Sequence, residues 1–473
     1  MTLARRSLVT IDDLSTGEIE AIFSLADEMA ESMPEQLDVC RGKIMASLFF
    51  EASTRTRLSF EAAMHRLGGS VISVADVRAT SLAKGESIAD MARIVGGYAD
   101  IIVIRHPWEG AAKVVADYAG VPVINAGDGG HQHPTQTLCD LYTIQKERNA
   151  IRGLRIALWG DLKYGRTIHS LIFALAKFGA NILFCPSPGL EVPPNIIRKL
   201  VEEYGGKVEN KPELAGGEKK GPFPLDAVYI TPSSPHQLAM MPDINFDVEL
   251  KTGVDALYVT RAQKERFTED DNQNTTKAFP IVDKRLLRGK AFKRTLVMHP
   301  LPRVDELAYD VDADPRSMYF KQAARGIPIR MALLALLLGG RERTITEEYD
   351  AVERKTDYPM YQHGSSVTCT NPVCVSVQDT ERKYLEPEFK IVNRQPLTLR
   401  CVYCEHGFEP RFVASSDWHE GRLDSKKYHG ADSHLSRKIK LENLIVFNTR
   451  AEAESRGFTP SHFIKPAERE ANK

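Results

Sequence analysis

The chain has no apolar run long enough to cross a bilayer: its longest, Met331 to Leu338, is eight residues, where about 20 are needed. No membrane segment is expected. A surplus of either charge is also missing, because 62 basic residues against 63 acidic ones leave a net charge of -1. No global field therefore points to nucleic acid or anionic lipid, and any anion site must be local. Arg5-Arg6 is followed by Asp12 and Asp13 instead of an apolar signal region, which argues against secretion. Cysteine is scarce, seven in 473 residues, and four of the seven fall in two short pairs near the C-terminal end. That usage suits a reducing, cytoplasmic compartment and a metal, not a disulfide framework.

What is present is ordinary for a water-soluble globular chain, 42% hydrophobic and 26% charged, and long enough for roughly three folding units. Between residues 43 and 300, short apolar runs alternate with amphipathic helical stretches, the pattern of a parallel α/β sheet. Candidate strands are 44–50, 70–74, 101–104, 121–125, 154–159, 181–185, 226–230, 255–259 and 295–298. Nine strands suit two doubly wound domains better than one, with a seam near Leu138 to Arg152 ahead of Gly153. The expected division is 1–140, completed by a buried helix at about 323–340, then 141–322. Pro328 is expected at the start of that helix and Gly339-Gly340 at its end. Ten of the seventeen residues from Arg341 to Asp357 are charged, so 341–359 reads as a linker or exposed helix. A small β-rich cysteine domain at 360–412 and a basic, histidine-containing tail at 413–473 follow.

The most informative stretch runs from Lys43 to Arg57. A buried strand (Ile44, Met45, Ala46, Leu48, Phe49, Phe50) leads directly into Glu51-Ala52-Ser53-Thr54-Arg55-Thr56-Arg57. Ser53 is a good N-cap, and Leu58, Ala62 and Leu67 continue at helical spacing to Gly68-Gly69. Hydroxyls, backbone N–H groups and guanidinium groups thus meet at a helix N-terminus past a strand's carboxyl end, where a phosphate is readily held. A capped surface helix with solvated arginines is the plainer alternative.

Further clusters follow expected strand ends, where open α/β sheets bind ligands. They are Ile104-Arg105-His106-Pro107; Asp128 to Gln136; Gly160 to Thr167; Thr260-Arg261-Ala262-Gln263; and His299-Pro300-Leu301-Pro302-Arg303. The spacing of Gly160 and Gly165 does not fit a dinucleotide fingerprint, and no organic cofactor is expected. Taken singly, each has a bland reading: His133 as a bonded loop histidine, Arg166 and Arg261 as surface ion pairs.

Together with Ser53-Thr54-Arg55-Thr56-Arg57, these motifs resemble, in order and over roughly residues 5–340, the carbamoyltransferase family and within it the aspartate branch. The ornithine branch typically has His-Cys-Leu-Pro where this chain has His299-Pro300-Leu301-Pro302. The resemblance implies transfer of a carbamoyl group from carbamoyl phosphate to the amine of L-aspartate, an early step of pyrimidine synthesis. It also implies that Ser53, Thr54, Arg55, Thr56 and Arg105 hold the phosphate. Thr56, Arg105 and His133 would face the carbonyl oxygen, where negative charge builds. Gln136 and the carbonyls of Pro300 and Leu301 would accept from the carbamoyl NH2. Arg166 would take the α-carboxylate of aspartate; Arg261 and Gln263 would take its side-chain carboxylate. The stretch 79–87 resembles the loop by which Ser81 and Lys84 reach a neighbouring subunit's site, which implies a homotrimer or a dimer of trimers. Glu51 would pair with Arg166 and Arg266 when the domains close.

Cys369-x4-Cys374 and Cys401-x2-Cys404 enclose 26 residues rich in strand formers, and four thiolates in two pairs fit tetrahedral zinc with no open position. This part resembles the zinc domain of the regulatory chain that accompanies bacterial aspartate carbamoyltransferases. Between Gly340 and Cys369 there is no room for that chain's nucleotide-binding domain, of about 100 residues, so little feedback by CTP or ATP is expected. In the tail, Ser433 and Ser461 stand where a metal-binding module would have cysteines. The competing readings are a carbamoyltransferase for another amino acid and a noncatalytic scaffold whose zinc module binds a protein or nucleic acid.

Overall fold

The computed structural model describes residues 3–33, 35–75, 84–148, 151–163, 165–206, 208–210, 225–232, 253–261, 281–343, 357–363, 367–417, 426–462 and 464. Two parallel sheets carry the architecture. The first holds β1 (Ile44–Phe49), β2 (Ser70–Val74), β3 (Ile101–His106) and β4 (Val123–Asp128) in the order β2-β1-β3-β4. The second holds β5 (Arg155–Gly160), β6 (Asn181–Pro186), β7 (Val208–Asn210), β8 (Ala227–Thr231), β9 (Ala256–Val259) and β10 (Leu296–Met298) in the order β10-β9-β8-β5-β6-β7. Strand order therefore reverses between β1 and β3 in the first sheet and between β5 and β8 in the second. Those are the crevices where such sheets take ligands.

The nine expected strands are all present within one to three residues at their ends, and β7 is an addition at a sheet edge. β1, β3 and β4 are buried almost end to end because helices cover both faces, so their sequences run apolar instead of alternating. The covering helices include α1 (Thr16–Ser32), α2 (Thr54–Arg66), α3 (Ile88–Gly96), α4 (Ala111–Tyr118), α5 (Pro134–Arg148), α6 (Arg166–Lys177) and α7 (Pro194–Tyr204). Ser15 and Glu18 close α1 with a reciprocal capping box.

The helix expected to begin at Pro328 is longer. As α8 it spans Tyr319–Leu337 with Pro328 inside it, packed against α1, α2 and α5. Burial of nearly every side chain from Pro328 to Leu337 outweighs the hydrogen bond that proline removes. Among the described residues no helix is long and apolar enough to cross a membrane.

The C-terminal part forms two small sheets. One has β11 (Phe389–Arg394), β12 (Leu397–Cys401) and β13 (Gly407–Phe408); the other has β14 (Phe412–Ser415), β15 (Lys427–Gly430), β16 (Leu444–Phe447) and β17 (Thr459–Pro460) in the order β16-β14-β15-β17. The expected boundary at 412/413 falls inside β14. Val413, Leu444 and Val446 pack in one core with the four paired cysteines and with one face of the first sheet, so the tail is continuous with the cysteine module. Of the stretch 341–359, expected as a linker or exposed helix, residues 344–356 lie outside the described residues.

Candidate active site

At the first switch point, β1 and β3 run side by side with Phe49 opposite Arg105. Arg105 is only 5% exposed. Its Nη2 donates to Glu51 Oε1 at 2.9 Å and its Nη1 to the Ala126 carbonyl at 3.1 Å. Gly127, at the end of β4, makes room for it: φ is +118°, and a Cβ there would stand 2.9 Å from Arg105 Nη1 and 3.6 Å from His133 Cδ2. Arg105 and His133 therefore pack over one glycine whose backbone disfavours a side chain, and a Cβ there would crowd the Arg105 guanidinium.

Ser53 occupies the N-cap of α2, but it does not cap with its side chain. Its hydroxyl donates to Thr56 Oγ1 at 3.0 Å and leaves the first-turn N–H groups without a cap from Ser53. Thr56 is buried, while Thr54 and Arg55 are exposed. Arg55 nonetheless reaches toward the second sheet. The His299 imidazole is pulled below its ordinary value mainly by burial, against Glu306, and the charges of Arg303 and Arg55 push the same way. The motifs of β1 and β10 thus face each other across the two sheets.

His133 is 5% exposed, and its backbone N–H donates to Ser170 Oγ on α6 at 2.9 Å. That bond ties the loop after β4 to the second sheet's first helix. Gln136, on the first turn of α5, donates from Nε2 to Asp140 Oδ1 at 2.8 Å. Beyond β10, His299 Nε2 lies 2.7 Å from Glu306 Oε1, and its Nδ1 accepts from Leu301 N at 2.7 Å. Leu301 is held at φ +54°, a left-handed conformation that a leucine adopts only under such constraint. Arg261 stands half-buried at the carboxyl end of β9. Gly160 ends β5 at φ +99°, and a Cβ on it would meet Thr231 O of β8 at 1.9 Å. Close strand approach at the second switch point, not a dinucleotide, accounts for that glycine.

Other expected residues are placed less fully. Arg166 begins α6, but its side chain, together with Ser81, Gln263 and Arg266, lies outside the described residues. The expected pairing of Glu51 with Arg166 and Arg266 therefore has no described counterpart, and here Glu51 meets Arg105. Lys84 is exposed in the turn before α3. Pro300 and Leu301 follow β10 after His299.

The sequence reading missed Asp140, Tyr258 and Gln322. Asp140 Oδ1 also accepts from Gln322 Nε2 at 2.7 Å, and its Oδ2 accepts from Tyr258 OH at 3.0 Å. Only the spacing of Gln136 and Asp140, four apart on one helix face, was a signal available beforehand.

The four sulfur atoms of Cys369, Cys374, Cys401 and Cys404 all lie within 4.8 Å of one another. Cys369 to Cys404 is 3.7 Å and Cys374 to Cys401 is 3.8 Å. A tetrahedral metal with bonds of about 2.3 Å to sulfur would set edges of about 3.8 Å, so the donor set fits such an ion. The module grips both sheets. Asn371 Nδ2 donates to Glu109 Oε2 at 2.6 Å, Arg400 Nη1 to Glu203 Oε1 at 2.7 Å, and Lys199 Nζ to Glu405 Oε1 at 2.7 Å. Gly110, at φ +85°, lets Tyr403 lie against the start of α4, where a Cβ would be 2.7 Å from its backbone.

Comparison with known proteins agrees with this layout. The family described as "Aspartate/ornithine carbamoyltransferase, carbamoyl-P binding domain" matches residues 6–146, and its Asp/Orn binding domain matches 234–337. The aspartate carbamoyltransferase catalytic subunit of Methanopyrus kandleri is 46% identical over 341 residues, covering 72% of this chain and 99% of that protein. The chain belongs to the aspartate carbamoyltransferase family. It carries both parts of a catalytic chain, and the "Aspartate carbamoyltransferase regulatory chain, metal binding domain" matches 364–413 of the same polypeptide. The solved catalytic subunit of M. jannaschii aligns with TM-score 0.56 at 42% identity, covering 71% of this chain and 98% of that one. The Trypanosoma cruzi aspartate transcarbamoylase in complex with carbamoyl phosphate and aspartate aligns with TM-score 0.58 at 36% identity, covering 71% and 98%. The matched metal-binding domain is described as that of a regulatory chain, and here it shares a hydrophobic core with the first sheet of the catalytic part.

Proposed function

We propose that this chain transfers the carbamoyl group of carbamoyl phosphate to L-aspartate at the crevice between the two sheets. The observation that carries this reading is the meeting of Arg105 and His133 over Gly127 at the β1/β3 switch point, with Glu51 on Arg105 and Arg55 close enough to His299 to act on its charge. Ser53, Thr54, Arg55, Thr56 and Arg105 bind the phosphate, using the first turn of α2 that Ser53 leaves uncapped together with two guanidinium groups. In this arrangement Glu51 orients the Arg105 side chain, accepting from its Nη2 at 2.9 Å.

The aspartate amine, once deprotonated, attacks the carbonyl carbon; a C–N bond forms, and the C–O bond to phosphorus breaks as phosphate leaves with the electron pair. Thr56, Arg105 and His133 meet the charge that builds on the carbonyl oxygen, each donor worth about 2.7–4 kcal/mol in a water-poor site. Gln136 and the Pro300 and Leu301 carbonyls accept from the carbamoyl NH2. Arg166 takes the α-carboxylate, while Arg261 and Gln263 take the side-chain carboxylate. Lys84 and Ser81 complete the site of a neighbouring copy in a trimer.

The four cysteines hold zinc, whose role is to cross-link the module, since four thiolates leave no open position. All seven cysteines are unpaired, in keeping with a reducing, cytoplasmic setting. A colorimetric assay for carbamoyl-aspartate, run separately with aspartate and ornithine, tests the reading. Product with aspartate alone is expected. Equal product with ornithine, or none with either, would overturn it.

A further inference from the structure

Asp140 is 2% exposed, and every polar neighbour that touches it is a donor. Gln136 Nε2, Gln322 Nε2 and Tyr258 OH reach it at 2.8, 2.7 and 3.0 Å. A primary amide has one oxygen and one nitrogen at its tip, and its partners decide which way each faces. With its nitrogen committed to Asp140, the Gln136 amide has its oxygen on the opposite side. Gln322 is set in the same way: its nitrogen donates to Asp140, and its oxygen accepts from His299 N at 3.0 Å. His299 in turn holds Leu301 N, and so the backbone turn of 299–301.

We propose that Asp140 is a positioning residue that fixes the amide orientation of Gln136 and, through Gln322, the backbone of 299–301, so that acceptors alone face the carbamoyl NH2. One buried carboxyl group on α5 thereby selects an NH2-bearing acyl phosphate over one bearing a methyl group. With Asp140 absent, the Gln136 amide can turn over and set an N–H donor against the substrate's own NH2, where two donors face each other without an acceptor. An acetyl group has no hydrogen to donate there and loses nothing. The placement of one acceptor is thus a specificity device, because a site built to accept hydrogen bonds rejects an analogue that cannot supply them.

The inference rests on the reading of Gln136 as an acceptor for the carbamoyl NH2. The test uses two stable phosphonates, phosphonoacetamide and acetonylphosphonate, which differ only in NH2 against CH3. Their dissociation constants are measured by calorimetry on the full-length protein, beside that of inorganic phosphate. Asp140→Ala and Asp140→Leu should each lower the preference for phosphonoacetamide by roughly tenfold or more while changing phosphate binding by less than about threefold. Asp140→Asn should keep the preference within about threefold, because its Oδ1 still accepts from both glutamines.

An unchanged preference in Asp140→Ala or Asp140→Leu, beside a lost preference in Gln136→Ala, would overturn the role of Asp140 alone. An unchanged preference in Gln136→Ala would instead overturn the reading of Gln136. If neither the Ala nor the Leu variant binds phosphate, the carboxyl group serves the fold and the positioning claim falls.

Discussion

Lys199 offers the sharpest test of how the fused metal module is joined to the catalytic part. It sits on α7, 5% exposed, with its ammonium on Asp12 of the N-terminal segment and on Glu405 Oε1 of the module. Its stem lies against Phe173, with Nζ 4.6 Å from the ring centre. Burial pulls the ammonium pKa down, but Asp12 and Glu405 more than reverse that and hold it charged. Glu405 also touches His131 Nε2 at 3.2 Å and Gln132 Nε2 at 3.5 Å, in the loop that carries His133. Replacing Lys199 by Met keeps the apolar stem and removes the charge, which leaves two carboxylates facing each other with their cation gone. Breaking such a buried pair costs about 3–5 kcal/mol. Arg198, one residue away, makes only a 3.9 Å contact with the half-exposed Glu409, and its loss should cost less than about 1 kcal/mol. Urea unfolding of Lys199→Met, Arg198→Ala and Glu405→Gln gives the comparison. Lys199→Met with Glu405→Gln should lose clearly less than the sum of the single losses, since both remove one interaction. Equal losses for Lys199→Met and Arg198→Ala would refute the claim that this node, and not the surface pairs, joins the module.

Cys374→Ser should reduce the metal content to a small fraction of the parent's and open residues 367–417 to protease, because the thiolates and the core around them form together; unchanged metal content would count against the site. Cys139→Ala should retain turnover within about threefold, since the thiol is fully buried beside Arg330 Nη1 at 3.7 Å, burial raises its pKa, and a buried thiol is inert. Near-complete loss with an intact fold would make it a participant. Glu51→Ala should lower aspartate affinity and turnover while sparing carbamoyl phosphate binding, measured by steady-state kinetics and calorimetry; equal activity would remove Glu51 from the closure of the site. Burial pushes the Asp140 carboxyl up to about 7, against the bonds from Gln136, Gln322 and Tyr258 and the charge of Arg330. The folded state then binds the proton more tightly than the unfolded chain, so this group costs stability as pH rises from about 4 to 7, on the order of a few kcal/mol. Asp140→Asn should remove that loss and gain relative to the parent between pH 5 and pH 8 in urea midpoints. A constant difference would contradict the assignment.

The strands were readable because their burial on both faces demands continuous apolar runs, and each motif was readable because Arg105, Arg261 and His299 stand at or just past a strand's carboxyl end. Ser53 illustrates the limit of local rules. Its identity and position predict a capping bond, yet its hydroxyl is taken by Thr56, a choice that depends on side-chain geometry and not on spacing. Pro328 shows the same limit from the other side, since the packing of α8 against three helices carries the helix back past a residue that locally marks its start. The 412/413 division runs through β14, which pairs with β15 and β16, partners that lie further along the chain.

The sequence by itself determined the elements, the order of the anion-binding motifs, and the two cysteine pairs, all of which depend on neighbours close along the chain. Only the tertiary structure decided that Glu51 meets Arg105, that Asp140 gathers Gln136, Tyr258 and Gln322, and that Glu405 reaches Lys199 and His131. Those partners lie between 54 and 274 positions apart, Gln136 excepted. Strand order and helix packing bring them together, and no periodicity along the chain encodes a contact of that span.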